Sequence, residues 1–388
     1  MTNASSVFAV CLLLAVTAEA SAQDKVTLPF AGYLDKVHGA WLGECAGNMF
    51  GWPHEMKYRE QPGPEITFQP DYTKGALSDD DTDIEYVYLH ALEEHGLALT
   101  YEQVAAEWTS HIKQKVWVAN ARALELMNQG MIPPATGHPS NNDKAWFNLA
   151  GQFTQELWGM ISPGMPATAQ RYGDKFAHVA VYGESVLAAH YFDVMYAEAF
   201  FESDVAKLVA LGLSALPPKS EYHQMVSDVI RWHRQSSTDW RTQRQKMHTK
   251  YSGKWNANSS VLNGGACTMA LLYGGGDFEK TILLACMIGY DADCNAATLG
   301  GLLGVIHGAH GLPEKWLQPL GETYHNVTRE GLPAQEKIAD LAARIAAVGR
   351  QVIEAHGGYA WKDGDREMLT IMRQRPFVAT LDPPHTTG

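Results

Sequence analysis

The stretch that decides the fold is Gly75–Leu92, which reads GALSDDDTDIEYVYLHAL. Four of its aspartates fall within five positions: Asp79, Asp80, Asp81 and Asp83. Apolar side chains then follow at the spacing of a helix with one face in a core, namely Ile84, Val87, Tyr88, Ala91 and Leu92. This spacing predicts a helix whose first turn carries the acids, with Ser78 as its N-cap and Asp81 completing a capping box.

Two interpretations of the acids are open. Capping acids favoured by the helix dipole account for one or two carboxylates at a helix start. Consecutive carboxylates repel one another, however, and ligand sets made of oxygen alone suit magnesium, manganese or calcium. A second acidic cluster elsewhere in the chain would therefore favour a metal site.

Such a cluster occurs at Gly289–Asn295, GYDADCN, between two strongly apolar helical segments. Asp291 and Asp293 are two positions apart and would point away from each other on a helix. We therefore expect a turn that enters a helix at about Ala296, with Asn295 as the cap. Ordinary turn acids are the alternative. Carboxylates close to a core need a cation or hydrogen bonds, and the two clusters together favour a binuclear metal site.

Helical spacing recurs along the rest of the chain, and the alternation typical of strands is scarce. One helix is predicted to end at Gly51-Trp52-Pro53, which breaks helices. Another helix is predicted to span Tyr101–Gln129. The fold class is therefore predicted to be all-α, a compact orthogonal bundle of many helices. We expect one large domain over residues 23–325, with a helical C-terminal extension over residues 326–388 packed on it.

The N-terminal segment is typical of an export signal. Val7–Val16 is a short apolar run, and Ala20-Ser21-Ala22 follows as a cleavage pattern. Residues 1–22 are therefore predicted to be a cleaved signal peptide, which places the protein in the periplasm or outside the cell. No later apolar run is long enough to span a membrane. A formal net charge of −13 makes nucleic acid an unsuitable partner, and a monomer is expected.

Four cysteines lie beyond the predicted signal peptide: Cys45, Cys267, Cys286 and Cys294. Their spacing is not that of a zinc site, and they are sparse for a disulfide scaffold. We interpret Cys267 and Cys286 as small buried side chains. One disulfide is an open alternative that the sequence does not pair.

Several motifs carry a resemblance to a known family. Gly47–Glu55 reads GNMFGWPHE, Asp79–Thr82 reads DDDT, Asp291–Cys294 reads DADC, and Gly301–Trp316 reads GLLGVIHGAHGLPEKW. In this order the motifs resemble those of the ADP-ribosylglycohydrolases, a family that includes the dinitrogenase reductase-activating glycohydrolase. The chain looks like an exported bacterial branch of that family.

The resemblance implies a metal-dependent glycoside hydrolase that cleaves an N- or O-glycosidic bond of an ADP-ribosyl or related sugar substrate. It implies two Mg²⁺ ions, with Mn²⁺ as a possible replacement. Asp80, Asp81, Asp291 and Asp293 match the family's metal ligands, and Asp79 adds a carboxylate where the family has a hydroxyl. Glu55 matches an acid that serves substrate binding or catalysis. With Asp80 and Asp293, it forms the expected catalytic set.

The chain also departs from the family pattern. Cys294 replaces a hydroxyl with a thiol, a poor magnesium ligand, and we interpret it as a packing replacement outside the metal's coordination shell. The middle of the chain lacks the family's G-N-G segment and Thr-His pair; there, Glu156 and Trp158 are candidate substrate-binding residues, a carboxylate and an aromatic platform for a sugar. The alternative for these two is a helix-surface acid and a core tryptophan.

These departures leave the substrate open. An exported carbohydrate or nucleoside glycosidase is one alternative to an ADP-ribosyl hydrolase. A non-catalytic homologue that binds a ligand is another. The four matching aspartates and Glu55 favour an enzyme, whereas Cys294 favours the non-catalytic alternative.

Overall fold

The structure is a computed structural model that describes residues 24–70, 72 and 74–383. The predicted signal peptide lies outside these residues. The described part is mostly helical with two small sheets, which confirms the predicted fold class. None of its helices is both long and apolar enough to cross a membrane.

The helices, in chain order, are α1 (Phe30–Gly51), α2 (Asp80–His95), α3 (Tyr101–His111), α4 (Val118–Asn128), α5 (Ala150–Phe153), α6 (Glu156–Met160), α7 (Pro166–Ala177), α8 (Glu184–Ala199), α9 (Val205–Ser214), α10 (Glu221–Gln235), α11 (Trp240–Tyr251), α12 (Ser260–Gly274), α13 (Phe278–Ile288), α14 (Ala292–His307), α15 (Glu314–Leu320) and α16 (Ile338–Ala355). Short 3₁₀ turns span Trp52–His54 and Ala309–Gly311. The strands are β1 (Lys25–Pro29), β2 (Ala76–Leu77), β3 (Thr323–His325), β4 (Gln335–Lys337), β5 (Tyr359–Asp363) and β6 (Arg366–Met372).

The centre of the fold is the close pairing of α1 with α14. Glycines face each other along this contact: a Cβ atom at Gly43 would collide with the carbonyl oxygen of Gly300, and one at Gly39 with that of Gly304. Because both helices present small residues, their backbones approach closely over most of their length. This pairing brings the end of α1 against the start of α14, where the second acidic cluster lies.

The residue that caps the start of α2 differs from the one predicted. Asp79, and not Ser78, is the N-cap, and its side chain accepts a hydrogen bond from the Asp80 N–H at 3.0 Å. The Ser78 hydroxyl instead accepts from the Val327 N–H at 2.9 Å and lies 2.7 Å from the Thr328 hydroxyl. Ser78 therefore ties the loop after β3 to the start of α2.

The helix predicted over Tyr101–Gln129 is two helices, α3 and α4. The chain leaves the helical conformation at Ile112, which has ψ 105° and pairs with Arg329 across an isolated β-bridge. Lys115 has a positive φ of 51°, and α4 begins only at Val118, after the extended residue Trp117. The periodic apolar pattern continues across this break, and for that reason the sequence does not reveal it.

The C-terminal segment contains the expected amphipathic helix, α16, which packs on α1. The sequence did not predict the hairpin β5–β6 that follows. This hairpin pairs antiparallel with β1, with Lys25 opposite Met372 and Leu28 opposite Leu369. Strand β1 and the C-terminal hairpin thus close one side of the bundle together.

Candidate active site

A cleft of about 450 Å³ opens where the first turns of α2 and α14 meet the turn after α1. Its walls come from Trp52, Glu55, Met56, Asp79, Asp80, Trp117, Val118, Asn148, Leu149, Phe153, Asn258, Asp291, Asp293 and Cys294. The two acidic clusters of the sequence, which are far apart along the chain, therefore share one cleft.

The five aspartates predicted as metal ligands come together here, and we call them the outer cluster (Asp79, Asp80, Asp81, Asp291 and Asp293). Four of them line the cleft, and Asp81 is buried beside them. Carboxylate oxygens of Asp79, Asp81 and Asp293 lie within 4.8 Å of one another. The sulfur of Cys294 forms two further groups of this kind, one with oxygens of Asp80 and Asp81 and one with oxygens of Asp291 and Asp293. Within each group the atoms lie within 4.8 Å of one another.

The start of α14 positions the second pair. The helix begins at Ala292, earlier than predicted, so Asp291 is its N-cap residue and Asp293 lies in its first turn. Asn295, expected to be the cap, lies inside the helix and donates to the side-chain oxygen of Asn263 at 2.8 Å. The same oxygen accepts from the Asp291 N–H at 3.1 Å, so Asn263 fixes the turn that presents Asp291 to the cleft.

Burial leaves the outer cluster short of compensating charge. Burial raises the pKa of each of the five carboxyl groups, and the neighbouring aspartates raise the pKa of Asp80, Asp81 and Asp293 further. One oxygen of Asp81 and one of Asp293 are buried without a hydrogen-bond partner, while the other oxygen of Asp81 accepts from the Asn48 amide.

Unpaired carboxylate oxygens at the bottom of a cleft are the donor set that hard divalent cations take. The residues present therefore fit the metal centre that the resemblance implies. Its ligands would come from the outer cluster.

The Cys294 thiol lies among these carboxylates and lines the cleft. Burial and the surrounding aspartates raise the thiol's pKa well above its ordinary value, so the sulfur is protonated. It is close enough to donate to Asp81 and Asp291, and this hydrogen bonding lowers the pKa of both carboxyl groups. The four cysteines among the described residues are free and buried.

Glu55 lies on the rim of the cleft and is exposed. The next residue, Met56, donates its N–H to the Tyr290 carbonyl at 2.8 Å, which ties the rim to the start of α14. Partial burial raises the pKa of Glu55, and the charges of Asp291 and Asp79 raise it further. Glu55 therefore binds its proton more tightly than an isolated glutamate does.

Neither Glu156 nor Trp158 lines the cleft, contrary to the expectation that they border the substrate pocket. Trp158 is 0% exposed and stacks on Phe176 with ring centroids 4.3 Å apart. Glu156 is buried and accepts from the Thr298 hydroxyl at 2.7 Å. The short helix α6 packs beneath α8, which buries both side chains in the core.

The sequence reasoning missed the aromatic and amide side chains of the cleft. Trp117 is 56% exposed and Trp52 is 45% exposed, and both border the opening, while Asn148 and Asn258 line it more deeply. Trp52 lies within a quoted motif, but Trp117 lies at the break between α3 and α4. A continuous helix was predicted there, so no signal set it apart.

The fourth aspartate of the opening stretch has another role. Asp83 forms an ion pair with Arg329 at 2.6 Å, and both side chains are fully buried. Burial raises the pKa of Asp83 to about 7, although Arg329 opposes the shift. Arg329 also donates to the carbonyls of Gln114 and Lys115, so this pair fixes the start of α2 relative to Trp117.

A second set of carboxyl groups lies in the core, and we call it the inner cluster (Glu44, Glu85 and Glu156). Each of the three is almost completely buried. Burial raises the pKa of Glu44 and Glu85 well above the ordinary value and that of Glu156 to about 7. Glu85 and Glu156 are close enough for a hydrogen bond, which requires a proton on one of them.

Fold and cleft together define a helical protein with clustered carboxyl groups at one groove. The chain belongs to the ADP-ribosylglycohydrolase family, whose model matches residues 30–354. This is a family of glycohydrolases and is typically metal-dependent.

Comparison with solved structures supports the fold. The chain is similar to a structure described as an ADP-ribosylglycohydrolase-related protein complex, with a TM-score of 0.55 and 19% sequence identity. The similarity covers 82% of this chain and 99% of that one. No curated protein matches the chain.

Proposed function

We propose that the protein is a metal-dependent glycohydrolase that cleaves an N- or O-glycosidic bond of an ADP-ribosyl or related ribosyl substrate, and that it acts after export. The observation that carries the proposal is the convergence of the outer cluster in the cleft, with unpartnered buried oxygens on Asp81 and Asp293. Membership of a glycohydrolase family supports the reaction class.

The outer cluster would hold two Mg²⁺ ions, or Mn²⁺ in their place. When bound, such ions acidify water and bind sugar hydroxyls. Asp80 and Asp293 present negative charge to the cleft, which stabilises the positive charge that develops on a sugar ring as its glycosidic bond breaks.

Glu55 would transfer the proton. Its position on the rim would bring the carboxyl group beside a bound sugar, and its raised pKa favours the protonated form that a general acid needs. Trp52 and Trp117 would bind the flat face of a base or sugar at the opening.

A second candidate is a carbohydrate or nucleoside glycosidase. Two exposed tryptophans at the cleft favour it, because an aromatic face binds a sugar or a nucleobase without requiring a diphosphate. The metal requirement is the same for both candidates, so the two differ in substrate alone.

The experiment is a substrate screen with metal analysis. Wild-type protein is tested with Mg²⁺ or Mn²⁺ against ADP-ribosylated protein, ADP-ribose conjugates, nucleosides and aryl glycosides. Asp291→Ala should lose bound metal and turnover together, whereas Asp365→Ala, an exposed acid in the β5–β6 turn, should match wild type. Metal binding without turnover on any substrate would favour the non-catalytic alternative, and absence of metal binding would contradict the proposal.

A further inference from the structure

A cluster of histidines lies at the other end of α2, away from the cleft. It consists of His90 and His95 on α2 and of Glu107 and His111 on α3. The ring nitrogen Nε2 of His111 lies 3.1 Å from Oε2 of Glu107, and Nε2 of His90 lies 3.7 Å from the same oxygen. Nε2 of His95 lies 2.7 Å from the other oxygen, Oε1.

The geometry fixes the tautomer of His111. Its Nδ1 lies 2.6 Å from the carbonyl oxygen of Glu330, which only accepts hydrogen bonds, so Nδ1 carries the proton. In neutral His111, Nε2 is then an unprotonated acceptor that faces a carboxylate oxygen. Two acceptors at this distance need either a second proton on the ring or a metal ion between them.

The loop after β3 is built to hold this ring. The Glu330 N–H donates to the His111 carbonyl at 2.9 Å, so the two residues are joined in both directions. Gly331 has a φ of 73°, and a Cβ atom there would lie 3.2 Å from Nδ1 of His111. A hydrogen bond from the second ring nitrogen to a carbonyl is the usual support of a histidine that binds metal through the first.

We infer that His90, Glu107 and His111 form a second metal site, specific for a divalent transition-metal ion such as Zn²⁺. Their three ligand atoms all lie within 4.8 Å of one another. Two ligand atoms at about 2.0–2.2 Å from a tetrahedral zinc ion lie about 3.4 Å apart. This separation falls between the 3.1 Å from His111 to Oε2 of Glu107 and the 3.7 Å from His90 to the same oxygen. His95 would orient the carboxylate through its other oxygen.

The chemistry of this site differs from that of the outer cluster. Imidazole nitrogen favours zinc, copper and nickel, whereas sets of carboxylate oxygens favour magnesium and manganese. The side chains of His90 and His111 are 27% and 13% exposed, so an ion can reach them from solvent. A bound ion would clamp α2 to α3 and to the loop that carries Arg329, the partner of Asp83 in the first turn of α2.

The test measures Zn²⁺ binding by calorimetry, and the absorption spectrum of bound Co²⁺, in full-length protein with excess Mg²⁺ at pH 7.5. Wild type should bind one Zn²⁺ at this site and melt at a higher temperature with it. His90→Ala and His111→Ala should each weaken the binding at least about tenfold and change the Co²⁺ spectrum. His223→Ala, at a partly buried histidine on α10, should match wild type in these measurements. Asp291→Ala removes a ligand of the outer cluster and should match wild type only in Zn²⁺ affinity and Co²⁺ spectrum at the histidine site.

Two results would overturn the inference. One is Zn²⁺ binding that survives in the His90→Ala/His111→Ala double variant but is lost in Asp291→Ala, which would place the ion in the outer cluster. The other is absence of Zn²⁺ binding in wild type, together with a melting temperature that rises as pH falls and no longer does so in His111→Ala. That result would show that protons alone pair these histidines with Glu107.

Discussion

The outer and inner clusters share helix α2, one turn apart, yet they differ in their access to solvent. On α2, Glu85 follows Asp81 by four residues, and on α14, Thr298 follows Cys294 by four. The outer cluster opens to the cleft and leaves buried oxygens of Asp81 and Asp293 without partners. The inner cluster is closed from solvent. Its Glu156 accepts from Thr298, but both oxygens of Glu44 and one of Glu85 also lack partners.

The difference shows how access determines the fate of a buried carboxyl group. A buried carboxylate is costly unless a cation or a proton neutralises it. In the outer cluster a metal ion from solvent can do so, whereas in the inner cluster the raised pKa values indicate that protons do so. Acidic residues near a cleft are thus candidates for ligands only where solvent reaches them.

The largest effect should come from Asp81→Asn, compared with Glu85→Gln on the same helix. Asp81→Asn should lower turnover roughly a thousandfold, because it removes several kcal/mol of metal-dependent stabilisation. Glu85→Gln should change turnover by less than about threefold, because that group is already neutral and its Oε1 still accepts from the Leu157 N–H.

Thermal melts provide the control for this pair. In chelator, Asp81→Asn should melt at or above the wild-type temperature, since it removes one of several repelling charges. In Mg²⁺ it should melt below wild type. A variant that is destabilised in chelator but keeps the full response to Mg²⁺ would show that Asp81 is a hydrogen-bonding group and not a metal ligand.

A pair of tryptophans extends the comparison to aromatic side chains. Trp158→Ala should lower the free energy of unfolding by about 3–5 kcal/mol, because it empties a packed core site. Trp117→Ala should leave stability nearly unchanged and raise KM about tenfold, because it removes a stacking surface at the cleft. Urea unfolding and initial-rate kinetics measure the two effects. A KM effect from Trp158→Ala at unchanged stability would restore the original expectation for that residue.

Much of the site was predictable because its chemistry is local. The run of aspartates before an apolar helical pattern, and the second pair between two apolar segments, identify the outer cluster without a structure. The ordered motifs then predicted that both clusters share one site, and the helical spacing along the chain predicted the fold class.

What escaped prediction depends on contacts between distant segments. Trp117 reaches the cleft because Ile112 pairs with Arg329 and ends α3, and nothing local marks that event. Glu156 was a candidate pocket residue because the local sequence does not show that α6 packs beneath α8 and buries it. The hairpin β5–β6 exists because β1, at the opposite end of the described chain, completes its sheet.

The inner cluster should make stability depend on pH in a definite direction. Burial raises the pKa of Glu156 in the folded chain from an ordinary 4.5 to about 7, so the folded state keeps a proton that the unfolded chain releases. Its contribution is complete below about pH 4.5 and is lost as pH rises towards 7.

Wild type should therefore lose roughly 1–3 kcal/mol relative to Glu156→Gln between pH 5 and pH 8. The measurement is urea unfolding of both proteins in saturating Mg²⁺, so that the metal suppresses titration of the outer cluster. A difference between the two proteins that stays constant with pH would mean that Glu156 does not carry the proton in the folded state.

The smallest effect concerns Cys294→Thr, compared with Thr298→Val one turn further along α14. Cys294→Thr replaces a soft, protonated sulfur with a hard hydroxyl oxygen among the carboxylates, so Mg²⁺ should bind several-fold more tightly. Turnover in Mg²⁺ should hold or rise, by about tenfold at most, with a smaller gain in Mn²⁺. Thr298→Val removes the donor to Glu156 and should cost about 1 kcal/mol of stability without changing Mg²⁺ affinity. Metal stoichiometry and turnover of the two variants and wild type, in each metal, measure these effects.

A large loss of both metal and turnover in Cys294→Thr would identify the sulfur as a working ligand. The outer cluster would then hold a softer ion than magnesium, because a thiol that binds metal must first give up the proton that burial now holds on it.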